Sequence, residues 1–174
     1  MSYVDPWTEG VRLIPEAATT FVAPGDLEAV NTSPTSRASF VAPGSLTAGR
    51  YGLFRYDMLP GSGGGGTHIH TTFSESFYVL SGVVSLYDGH RWLRGQTGSF
   101  LYVPERSVHG FKNDSDAPAS FLVLFAPAPP RERFFREIAE VSASGRRLSD
   151  EEWRDLYRRH DQYMVPERSE PSRA

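Results

Sequence analysis

The chain contains no cysteine. Disulfides, thiolate metal sites and a cysteine nucleophile are therefore excluded, and any metal must be held by nitrogen and oxygen ligands. Lysine is nearly absent too: Lys112 is the only one, and the other basic side chains are arginine. The formal net charge of -3 gives no general pull toward a polyanion, so no nucleic-acid partner is expected. No apolar run is long enough for a membrane span, and the opening "MSYVDPWTEG" lacks the basic-then-apolar order of a secretory leader. These absences lead us to expect a cytoplasmic protein with no membrane partner.

What is present is an ordinary globular composition, 39% hydrophobic and 22% charged over 174 residues, consistent with one domain and its extensions. Residues 1–46 are rich in Pro, Gly, Ser and Thr and read as an N-terminal arm with short strands. The arm and its border hold a near-duplicate, "FVAPGDL" at Phe21–Leu27 and "FVAPGSL" at Phe40–Leu46. Two copies are too few for a repeat architecture, and each reads as an extended piece ended by a Pro-Gly turn.

From Arg50 the period becomes two: Leu53, Arg55 and Asp57 alternate with Phe54, Tyr56 and Met58. Short β-branched and aromatic runs follow, separated by turn signals such as Ser81-Gly82 and Asp88-Gly89. With no helical segments between them, they predict an antiparallel sandwich or barrel over residues 47–127. After Pro130, Phe134, Phe135, Ile138 and Val141 take helical spacing, with Arg131, Glu132, Arg136 and Glu137 around them. A second helix is signalled by the capping-box spacing of Ser149 and Glu152, then by the stripe Trp153, Leu156, Tyr157 and His160. The two helices occupy 128–162 and must bury their stripes against the β core or a second subunit. Residues 163–174 are polar and read as an unstructured tail.

The chemistry-bearing stretch is "GSGGGGTHIHTTFSESFYVLSG", Gly61 to Gly82. On a strand, residues two apart share a face, so His68 and His70 reach one point while Ile69 faces away. Glu75 lies an odd number of positions beyond His70, and the polar "TTFS" would have to turn the chain for Glu75 to face the same interior. His109 stands just beyond a turn at Pro104. A His-x-His pair alone fits an exposed loop as well as a metal site.

The surrounding glycines carry a resemblance. The stretch resembles the first cupin motif, which runs glycine, spacer, His-x-His, Glu, then six residues and glycine; His68, His70, Glu75 and Gly82 match it. The leading glycine is displaced, with Ser62 in its place between Gly61 and Gly63. The second cupin motif is matched by Gly98, Pro104, His109 and Asn113, with Arg106 where the family has its middle glycine. The resemblance implies an all-β fold, a small antiparallel jelly-roll barrel, with one divalent metal held by His68, His70, Glu75 and His109. Fe2+ or Ni2+ is favoured, and Mn2+, Co2+ or Zn2+ would also suit such ligands.

If Glu75 and His109 point inward, strand parity turns Phe77, Val79 and Phe111 inward with them, and Tyr56 joins them if its row faces in. Tyr56, Phe77 and Phe111 are the expected substrate contacts. Arg55 and Arg106 read as exposed, and His160 as packed or at a subunit contact rather than catalytic. The Gly63–Gly66 run reads either as a lip over the site or as an inert lead-in.

Within the family the chain is most similar to single-domain quercetinase-type dioxygenases, through its ligand spacing and the phrase "PPRERFFREI". That resemblance implies a dioxygenase taking O2 and a small enol- or phenol-type substrate, with Glu75 both ligand and catalytic base. The alternatives are an O2-independent cyclase or isomerase of polyketide- or sugar-like compounds, and a non-catalytic small-molecule-binding cupin. Most cupins are dimers, so a homodimer is expected, with the helical stripes suited to its interface.

Overall fold

A computed structural model describes residues 19–167. The first part of the arm and residues 168–174 of the tail lie outside the described residues. Eleven strands and two helices follow in order: β1 (Ala29–Ser33), β2 (Ser36–Ala42), β3 (Gly52–Met58), β4 (His68–Ile69), β5 (Ser74–Ser81), β6 (Val83–Tyr87), β7 (Trp92–Gln96), β8 (Phe100–Val103), β9 (Gly110–Lys112), β10 (Ala119–Ala126), α1 (Arg131–Ser144), α2 (Asp150–Arg159) and β11 (Tyr163–Met164).

Every strand pairing is antiparallel. One sheet has the order β1-β2-β3-β10-β5-β8, and a second has β7-β6-β9. A bridge between His68 and His109 joins β4 to the β9 side, and β4 in turn pairs with β11. This is the jelly-roll arrangement. The arm's strands β1 and β2 are hydrogen-bonded into the large sheet through β3, so they belong to the same layer as the strands after residue 47. Tyr163 and Met164, which the sequence places in an unstructured tail, pair instead with Ile69 and His68.

The alternation in β3 sorts as its pattern requires. Phe54, Tyr56 and Met58 are buried, while Arg55 is exposed. Opposite them β10 brings Val123 to Phe54 and Phe121 to Tyr56, and the next strand brings Phe77 to Val123 and Val79 to Phe121. Aromatic rings then pack edge to face, with Tyr56 and Phe111 centroids 5.2 Å apart and Phe40 and Phe54 centroids 5.4 Å apart. Such pairs add about 0.5–1.5 kcal/mol each beyond burial alone.

Both helices form where predicted, and their stripes close onto the β core. Phe135 of α1 sits 5.1 Å from the Phe54 ring and 6.3 Å from that of Phe40. The capping box is complete: Ser149 Oγ accepts from Glu152 N–H, and the Glu152 carboxylate accepts from Ser149 N–H. Leu156 is buried and Trp153 stacks on Tyr157 at 5.4 Å. Of the two destinations open to the stripes, the chain uses its own core. Arg131 departs from expectation: it does not join the solvated face of α1 but is 4% exposed. Among the described residues no helix is long and apolar enough to cross a membrane.

Candidate metal centre

The cluster is assembled by two sheets. His68 and His109 are paired directly, His68 N–H donating to His109 O at 2.8 Å and His109 N–H to His68 O at 3.0 Å. Directly opposed residues project to the same side, so this pairing brings His109 beside His68 from 41 residues away. His70 is two positions on, past the outward-facing Ile69. Glu75 arrives from the other sheet, in register with Phe125 on one side and Val103 on the other. All four residues are buried, and one ligand atom from each lies within 4.8 Å of every other.

The turn that returns the chain to Glu75 is held from afar. Asp161, in the left-handed region at φ 52° after α2, accepts from the Thr71 and Thr72 backbone N–H groups and both hydroxyls at 2.6–3.1 Å. Its own carbonyl accepts from His70 Nδ1 at 2.6 Å. His68 Nδ1 likewise donates to Gly66 O at 2.8 Å, and His109 Nδ1 to Ser107 O at 3.0 Å. A carbonyl only accepts, so each Nδ1 carries its proton and each neutral ring turns an Nε2 lone pair inward.

The consequence is a buried group of acceptors facing one another. Nε2 of His70 lies 3.1 Å from that of His68, and Glu75 Oε2 lies 3.1 Å from His70 Nε2 and 2.9 Å from His109 Nε2. Such an arrangement requires positive charge at its centre. Protons meet the need only by forming imidazolium, and the environment allows that unevenly. Burial, with the charges of His109 and His70, drives His68 well below the usual histidine range. Burial also lowers His70, against its bond to Glu75. For His109 burial is outweighed by the Glu75 carboxylate, and its pKa rises. Glu75 itself is held well below the usual carboxylate range, because His109 and His70 together overcome its burial. The donor set therefore fits a divalent cation bound by imidazole nitrogen and carboxylate oxygen.

A cavity of about 530 Å3 opens against this cluster, with His68 and Glu75 in its wall. Tyr56 and Phe111 line it, whereas Phe77 does not. Phe77 is fully buried behind the site, 5.8 Å from Phe111 and 6.2 Å from the His109 ring, because its row on β5 packs against β10. Phe77, expected as a substrate contact, is thus placed in the core beside the cavity and not in its lining. The opposite wall comes from the helices, through Phe134, Phe135, Trp153 and Tyr157. The glycine run is part of the wall and not an inert lead-in. Gly63, Gly64 and Gly65 line the cavity, and Gly65 N–H donates to Phe111 O at 3.1 Å. Gly64 has φ 60°, and a Cβ there would run into the Phe111 carbonyl.

The two displaced motif positions have local explanations. Arg106 adopts φ 65°, a left-handed conformation that glycine takes more readily than other residues, with its N–H donating to His70 O at 2.6 Å. Ser62, in place of the leading glycine, bridges to Asn113, whose side-chain amide donates to the Met58, Leu59 and Ala117 carbonyls. His160 is packed, as expected, 2.7 Å from Glu137. Sequence reasoning missed Arg131 and Asp161. An arginine opening an amphipathic helix reads as surface, and no local signal shows that an aspartate after α2 reaches back 90 residues.

Residues 54–125 match the family model described as Cupin domain. No curated protein matches the chain. Among solved structures, the chain is similar to KdgF from Halomonas sp. at 16% identity and TM-score 0.59, over 66% of this chain and 99% of that one. An RmlC-like cupin from Shewanella frigidimarina is similar at 15% identity and TM-score 0.57, over 66% of this chain and 96% of that one. The polyketide cyclase RemF from Streptomyces resistomycificus is similar at 22% identity and TM-score 0.55, over 65% and 82% of the two chains. These likenesses establish the cupin fold.

Proposed function

We propose that this chain is a metal-dependent enzyme that oxidises a small enol- or phenol-type molecule with dioxygen. The observation that carries the reading is the meeting of three Nε2 lone pairs and one carboxylate at the wall of an aromatic cavity of about 530 Å3. When bound, a divalent ion supplies Lewis-acid polarisation of a substrate oxygen and, as Fe2+ or Ni2+, which we favour, a route for O2 chemistry. The chain does the rest. Tyr56 and Phe111, 5.2 Å apart, present aromatic surface that orients a planar substrate and excludes water. Glu75 takes the hydroxyl proton. A carboxylate is a weak base, which matches an acidic enol or phenol better than an aliphatic alcohol.

Oxygen consumption by metal-loaded protein against a flavonol and catechol panel tests this. Uptake that disappears in His109→Ala is expected; no uptake above that variant would overturn the reading. An O2-independent cyclase or isomerase is the second reading, favoured by Tyr56 and Arg131, two proton-bearing groups that share the cavity with Glu75. Product formed under nitrogen at the aerobic rate would select it, and saturable binding without product would select a binding module. A homodimer belongs to this proposal, with the half-buried residues of the helical stripes or another apolar face at its interface. The outer face of β5 and β8, where Tyr78, Phe100 and Tyr102 are exposed, is available. A monomeric mass in light scattering would remove the dimer.

A further inference from the structure

Arg131 is placed where a surface-type residue has no business being unless something needs its charge. It is 4% exposed, lines the cavity that holds His68 and Glu75, and forms no ion pair among the described residues. Its guanidinium donates to His160 O at 3.3 Å and to Gln162 Oε1 at 3.1 Å, both neutral acceptors. Among the described residues its Nε–H has no hydrogen-bond partner. Of the two buried side-chain atoms left without a hydrogen bond among the described residues, Arg131 Nε and Glu132 Oε2, only the arginine belongs to this cavity.

The surroundings do not neutralise it. The guanidinium lies 3.9 Å from the centre of the Phe134 ring and 5.1 Å from that of Phe125, with Phe135 and Phe73 beyond. Ring faces stabilise a cation without cancelling its charge. Arg131 is also the first residue of α1, where the helix dipole is positive and a carboxylate would be preferred. Burial drives its pKa down to about 10, so the cost of desolvation is felt, yet it stays charged at neutral pH. Glu75 and Asp161 are near enough to influence it, but Glu75 is committed to His70 and His109, and Asp161 to Thr71 and Thr72. With a divalent ion in place, the cavity would be cationic. A buried cation with a free donor and an apolar vestibule is the chemistry of organic-anion recognition.

We propose that Arg131 is an anion-binding residue, and that the cavity selects a small aromatic or apolar molecule carrying a carboxylate or an equivalent oxyanion. This deepens the reading above, since it concerns the same cavity, but it requires neither O2 nor turnover. A purely structural arginine, tying α1 to the segment after α2, would affect stability alike for every ligand. It would not make the cavity distinguish charge.

The test is calorimetric titration with a matched pair, 2-naphthoate and the neutral 2-naphthamide, on metal-free and zinc-loaded protein. Metal-free wild type is expected to bind naphthoate about tenfold or more tightly than naphthamide, the scale of a charge-assisted bond to a buried group. In Arg131→Gln the preference should vanish with naphthamide affinity unchanged, and Arg131→Lys should retain part of it. Equal affinities in wild type, absence of binding by both, or a preference that survives in Arg131→Gln would overturn the proposal. If thermal melts show Arg131→Gln unfolded, the metal-free wild-type comparison decides alone. Zinc uptake is measured separately: failure to bind zinc with the naphthoate preference intact would sink the enzyme reading and leave the anion site standing.

Discussion

The two walls of the cavity are made by different means. The ligand wall is built from strands, and its residues are placed by short-range rules: two residues apart on one strand, directly opposed on a pair, in register across a sheet. The facing wall comes from α1 and α2, whose residues reach the cavity only because two aromatic stripes fold back onto the core. The first wall tolerates almost no change in type, since each Nε2 and the carboxylate have one role. The second is a packed aromatic surface in which shape matters more than identity. The converging ligand atoms and the aromatic surface facing them are thus supplied by separate parts of the chain.

The largest expected effect breaks the ligand wall. Glu75→Gln or His109→Ala should abolish stoichiometric metal binding, exceeding the roughly 10–100-fold loss typical when a residue that only orients a ligand is removed; elemental analysis reads this directly. Next comes the helical wall. Phe135→Ala should lower unfolding free energy by about 3–5 kcal/mol in denaturant melts while leaving metal content near wild type. If it also empties the metal site, the walls are not separable.

Asp161 joins the two, and Asp161→Asn probes the joint. The variant keeps the main-chain carbonyl that receives His70 Nδ1 but weakens the grip on Thr71 and Thr72, so a loss of about 1–3 kcal/mol in stability is expected, with metal retained. The pH dependence has a definite sign. Burial works to raise the Asp161 pKa, but its bonds to Thr71 and Thr72 prevail and lower it. Its stabilisation is therefore present above the unfolded aspartate value of about 4 and is lost as pH falls through the lower folded value. Wild type and Asp161→Asn should converge in melting temperature in that acidic window.

The smallest effect is a proton count. The raised pKa of His109 means that acid competes with metal there, so affinity should fall as pH drops and binding near neutrality should release protons. Calorimetry in buffers of different ionisation enthalpy would show it; an uptake of protons would contradict it.

The same division explains what the sequence reveals. His68, His70 and Glu75 sit within eight residues and His109 lies in a second motif, so the resemblance to the two cupin motifs marks the ligand wall, which the His-x-His spacing alone does not. Tyr56 and Phe111 follow from strand parity. Phe77 obeys the same parity and still lies outside the cavity, because parity separates inside from outside but not core from cavity wall. Arg131 and Asp161 are hidden for a different reason. Their neighbours are about 30 to 90 residues away, and only the fold-back of the helices turns a surface arginine and a post-helical aspartate into buried partners.

The central claim is that the four converging side chains hold one metal ion. Metal analysis of purified wild-type protein, repeated after incubation with Fe2+ or Ni2+, tests it most directly. We predict about one equivalent per chain, with nearly none in His109→Ala, as expected of a single site whose ligands are all supplied by the chain. A folded wild-type protein that neither carries nor takes up a divalent ion would contradict the claim.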